Sequence, residues 1–75
     1  MECPVCNALA QDITTDVFEG KSFRCFSCGD FDVVGSVYEP GALKALDLSR
    51  RKDALARAQL VAMIGERPKI TTYEL

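Results

Sequence analysis

The chain has no histidine, no tryptophan, and no apolar run near the roughly 18–20 residues that span a bilayer. Without histidine the commonest general base is missing, so acid–base catalysis has little to work with. The first residues, MECPVC, open on an acid and lack a basic-then-apolar segment. They do not read as a secretion signal, and a cytoplasmic location is expected. Internal repeats and low-complexity tracts are also missing. Length is short too: 75 residues make one small domain, marginal on hydrophobic burial alone. The apolar fraction of 48% nevertheless fits a folded domain and is too high for a disordered one.

Four cysteines are present, as two pairs: Cys3 with Cys6, and Cys25 with Cys28. Two residues separate the members of each pair and 18 separate the pairs. A two-residue gap lets a tight turn aim both sulfurs at one point, and the intervening stretch can return as a hairpin. The spacing predicts four thiolates closing round one Zn²⁺. Structural zinc supplies about 10–16 kcal/mol of apparent binding free energy, which would couple folding to metal binding. Reducing conditions disfavour the alternative of two disulfides.

In the first turn Pro4 pre-sets the backbone angle. Asn7 and Gly29 follow the second cysteine of each pair, where positive φ is needed and glycine or asparagine tolerates it. Backbone N–H groups in both turns are expected to face the sulfurs. Between the pairs, Ile13, Thr14, Thr15, Val17 and Phe18 are β-formers, Glu19-Gly20 is a hairpin turn, and Ser22–Arg24 leads back. Asp30–Val33 alternates polar and apolar as a third strand, with Phe31 and Val33 inward and Asp30 and Asp32 in solvent.

From Ser36 the period changes. Ser36 and Glu39 resemble a capping box, but Pro40 and Gly41 leave the helix start either near Val37 or after Gly41. Ala42–Leu46 is helical by propensity. Ser49 is expected to cap a clearer helix, Arg50 to Ile64, whose stripe is Leu48, Leu55 and Ala62 with Ala58 and Val61 beside it. Gly65 reads as its C-cap, and Pro68 bars continuation. Lys69–Tyr73 reads as a last strand or extended tail. The expected fold is therefore a small metal-stabilised α+β domain. Residues 1–36 form a three-stranded antiparallel ribbon with two knuckles, and 37–75 a helical extension packed on it.

Charge is unevenly placed. Residues 1–40 carry seven acids against Lys21 and Arg24, net −5, and residues 41–75 carry seven bases against four acids, net +3. Four thiolates with Zn²⁺ would take the first half to about −7. Asp12, Asp16, Asp30 and Asp32 are a candidate acidic face for a basic protein partner. Arg50, Arg51, Lys52 and Arg57 are a candidate basic contact, the first three opposing the helix macrodipole.

The chain resembles zinc-ribbon proteins in Cys3-Pro4-Val5-Cys6, Gly20 and Cys25-Phe26-Ser27-Cys28-Gly29. It is also similar to small uncharacterised bacterial ribbon proteins of phage-like settings, which continue into a helix with paired arginines, here Arg50-Arg51 before Ala54-Leu55. That resemblance implies the four ligands and the ribbon but no settled activity. A four-thiolate site is coordinatively closed, so enzymatic zinc chemistry is not expected. The expected role is a non-enzymatic protein-interaction module, in its sharpest form a phage-type regulator or inhibitor whose carboxylates imitate phosphates on a host nucleic-acid-binding protein. The first alternative is nucleic-acid binding through the basic helix, with Phe23 and Phe26 stacking bases or, more simply, packing in the core. The second is a rubredoxin-like iron electron carrier, which shares the ligands but usually has more widely spaced knuckles and a more aromatic core. No membrane partner is expected, and a homodimer through the helix stripe is a further possibility.

Overall fold

A computed structural model describes all 75 residues. Strand β1 (Ala10–Asp12) pairs antiparallel with β2 (Gly20–Cys25), and β2 with β3 (Gly29–Val34). A short helix α1 (Gly35–Tyr38) and the main helix α2 (Leu48–Val61) follow. Strand β4 (Lys69–Ile70) then joins β3 in parallel, completing a mixed sheet of order β1-β2-β3-β4. A 3-10 turn, Thr72–Glu74, closes the chain.

Register decides which side chains form the core. Opposed residues share a face, and Phe23 opposes Phe31, Lys21 opposes Val33, and Ile70 of β4 lines up with Val33. Phe23, Phe31, Val33 and Ile70 thus point one way, and all are buried with Ala54, Leu55 and Ala58 of α2. The rings of Phe23 and Phe31 lie 5.6 Å apart, and Tyr38 of α1 stands 5.9 Å from Phe23, tilted contacts favoured by aromatic quadrupoles. Of the expected helix stripe the sheet covers Leu55 and Ala58, whereas Leu48 and Val61 remain in solvent.

Several boundaries differ from the sequence expectation. The first strand is not 13–18 but ends at Asp12. There the Asp12 carboxylate accepts from both the backbone N–H and the hydroxyl of Thr14, and the Thr14 hydroxyl accepts from Ser22 N–H. This local side-chain capture turns the chain away, as aspartate and threonine do in turns. Val17 consequently lies in solvent. Ser36 forms no capping box, because α1 starts at Gly35, two residues before Val37, with Val34 as an uncapped N-cap. Ala42–Leu46 forms turns that bury Leu43 instead of a helix. The cap of α2 is Asp47, whose carboxylate accepts from Arg50 N–H at 2.9 Å, and not Ser49. The helix ends at Val61, where Ala62 turns extended, before Gly65 is reached.

Candidate metal centre

The two knuckles face each other across the end of the sheet. Cys25 closes β2, and Cys28 precedes β3, so the β2–β3 turn itself is the second knuckle. The first is fastened by Cys3 N–H to Ala8 carbonyl, Asn7 N–H to Cys3 carbonyl, and exchanged bonds between Met1 and Ala10. Asn7 has φ 65° and Gly29 φ 82°, so both knuckles use the left-handed residue anticipated after the second cysteine.

All four sulfurs lie within 4.8 Å of one another. Cys3 Sγ is 3.9 Å from Cys28 Sγ, and Cys6 Sγ is 3.5 Å from Cys25 Sγ. A tetrahedron with metal–sulfur bonds of about 2.3 Å has edges of about 3.8 Å, so the spacing suits one ion. The sulfurs are not paired as disulfides. Cys3 and Cys25 are buried in the core, whereas Cys6 and Cys28 are partly open.

The electrostatics also favour a cation. Burial pushes the Cys3 thiol up, even though the N–H groups of Cys6 and Val5 point at it. Burial likewise raises Cys25, but the N–H groups of Cys28 and Ser27 and the neighbouring thiols outweigh it, bringing Cys25 down to about 7. Cys28 is driven well up by burial, by its contact with Cys6, and by the charge of Cys3. Burial and crowding thus oppose ionisation of Cys3 and Cys28, an opposition that a bound cation would relieve. With one, each first cysteine already has two backbone donors aimed at its sulfur. Four thiols at tetrahedral spacing thus fit a metal ion.

The acidic residues are not brought together as one face. Asp30 accepts two bonds from Arg24 Nε and one from its Nη2, and Asp12 meets Lys21 Nζ at 3.4 Å. Asp32 is buried, contrary to its expected place in solvent, because β4 adds beside it and its N–H donates to Pro68 carbonyl. Arg67 Nε stands 3.3 Å from Asp32 Oδ1, an ion pair out of line for a hydrogen bond. Asp16 stands exposed on the loop before β2.

The basic residues also divide. Arg51 donates to Leu46 carbonyl at 2.8 Å, to Lys44 carbonyl at 2.7 Å, and to Asn7 Oδ1 at 3.1 Å. It thereby ties the start of α2 to the first knuckle, a role the sequence reading missed. Arg57 donates to Glu74 carbonyl and holds the C-terminal turn. Arg50 and Lys52 are exposed on α2. Of the two phenylalanines weighed for stacking, Phe23 is core and Phe26, on the knuckle tip, is 99% exposed.

Comparison with known protein families, curated proteins and solved structures gives no match. No helix is long and apolar enough to cross a membrane.

Proposed function

We propose that the chain is a zinc-ribbon protein in which one Zn²⁺, held by Cys3, Cys6, Cys25 and Cys28, fixes a rigid non-enzymatic module for binding another protein. The observation that carries this reading is the closed thiol cluster, with two of its members inside the core. Such a site leaves no position for substrate and serves as a structural node. Zinc is favoured over iron because the chain has only four phenylalanines and two tyrosines, unlike the aromatic cores of rubredoxin-like carriers.

The acidic phosphate-imitating form of this reading now rests mainly on Asp16, since Asp12, Asp30 and Asp32 have cationic partners within the chain. The nucleic-acid alternative rests on Arg50 and Lys52, with Arg51 and Arg57 engaged elsewhere. Elemental analysis of protein purified without added metal tests the metal: one zinc per chain and no colour support the reading, and thiolate-to-iron absorption overturns it. Affinity capture from the host, with charge-reversed Asp16 and Arg50/Lys52 variants as controls, tests the partner. Salt-sensitive retention on DNA or RNA that disappears in the Arg50/Lys52 variant would replace it with the nucleic-acid reading.

A further inference from the structure

Two apolar features of the chain lie in solvent, one concave and one projecting. One is a groove of about 580 Å³ beside the metal centre, lined by Met1, Leu9, Ala10 and Phe26 with Asp12 and Arg24. Cross-strand register accounts for one wall: Gln11 opposes Arg24 on the sheet face turned away from α2, and the alternation continues outward to Leu9 and Phe26, while Ala10 and Asp12 edge the groove from the other face. Leu9 is 72% and Phe26 99% exposed. The charged liners are already neutralised, Arg24 by Asp30 and Asp12 by Lys21, so the groove suits an uncharged apolar occupant.

The second feature is a tip. Leu60 and Val61 end α2, and Met63 and Ile64 begin the following turn, all solvated, with Ile64 projecting fully. Four large aliphatic side chains within five residues, uncovered by the chain's own sheet, need an apolar receiver. The lobes bearing the two features also carry opposite charge: −5 over residues 1–40 and +3 over residues 41–75, the first more negative still with the metal bound.

We propose that the groove receives the Leu60–Ile64 tip of a second copy, a heterologous contact that brings the helical lobe of one chain onto the metal lobe of the next. Seven large apolar side chains contribute on the order of 1,000 Å² in total, which places the contact among weak, concentration-dependent interfaces. The occupant is another copy because the same chain supplies both the apolar projection and the opposite charge. A groove with internally paired charges offers nothing to a phosphate.

Sedimentation velocity of the full metal-loaded chain, from micromolar to about 1 mM, tests this, with Phe26→Ser and Ile64→Ser as variants. Both side chains are solvated, so unchanged metal content and circular dichroism are expected. The wild type should sediment faster as concentration rises. Each variant alone should lose that shift, and an equimolar mixture should regain it as a one-to-one complex, since one variant keeps its tip and the other its groove. A wild type that stays monomeric throughout overturns the proposal, as does a mixture that fails to associate. Ile64-dependent binding to phosphatidylglycerol vesicles by a monomeric protein would assign the tip to lipid and overturn it as well. None of these outcomes depends on a heterologous protein partner, so its failure is separable from that of the interaction-module reading.

Discussion

Replacing Gly20 by alanine would set a methyl group on the carbonyl oxygen of Val33 and against the Phe18 ring, at a φ of 151°. The obstructing atom is backbone of the central strand, so relief requires β2 and β3 to part. Gly20→Ala should therefore cost about 3 kcal/mol, read as a fall in melting temperature of the metal-loaded protein. Arg51 gives a second test at this scale. Its planar fork meets three acceptors that a lysine ammonium cannot reach together. Arg51→Lys should lose about 1–3 kcal/mol and weaken metal retention through the Asn7 contact, whereas Arg50→Ala should stay within about 0.5 kcal/mol. Equal effects at the two arginines would show that the tie to the knuckle does not matter.

At the scale of elements, α2 separates two candidate caps. Asp47→Ala should cost about 1 kcal/mol and Ser49→Ala little, because only the Asp47 carboxylate meets a free N–H. Urea denaturation of both variants decides it. The sequence favours Ser49 because it stands just before the clearest helical run, Arg50 to Ile64, yet the helix begins at Leu48, whose own side chain is half solvated. The knuckles, the β2–β3 pair and the buried stripe at Leu55 and Ala58 were legible because spacing and periodicity are local. Three features were not. Strand β1 ends where the Asp12 side chain captures Thr14, a competition that β-propensity does not register. Asp32 alternates as an outward residue but is buried by a strand arriving from 37 residues later in the chain. Arg51 looked like one of three equivalent bases until the turns at Lys44 and Leu46 placed their carbonyls round it. Only the Asp32 miss comes from a distant strand; the other two are short-range side-chain bonds that propensity and periodicity do not register.

Across the whole molecule the thiol cluster lies entirely in the acidic half, and the two halves of opposite charge meet through the shared core and a few polar contacts. Lys44 with Glu2, Arg51 with Asn7, and Arg67 with Asp32 cross from one half to the other, but the first pair is solvent-exposed and of little worth. Cys3 and Cys25 belong to the core cluster itself, so removing the ion leaves crowded thiols inside it instead of a bound centre. Chelation should collapse the cooperative melt and the dispersed methyl signals that Phe23 and Phe31 produce, and readdition of Zn²⁺ should restore both. The pH dependence follows from linkage. Metal binding holds the thiols ionised, so their effective folded-state pKa values lie far below the unfolded ones. Their contribution is therefore present at neutral pH and disappears as protons displace the ion. Asp30, held below the carboxylate range by hydrogen bonds from Arg24, and Asp12, held there by Thr14, act with the same sign. Both side chains keep about a third of their surface in solvent, and their contribution fades only as pH falls through values under about 3.8. Acid unfolding should accordingly begin above pH 4, coincide with metal release followed by a chromogenic chelator, and shift to higher pH in Cys6→Ser. A melt that tracks carboxylate titration alone, with the metal already gone, would mean that the apolar sheet–helix core and not the thiolate centre sustains the fold.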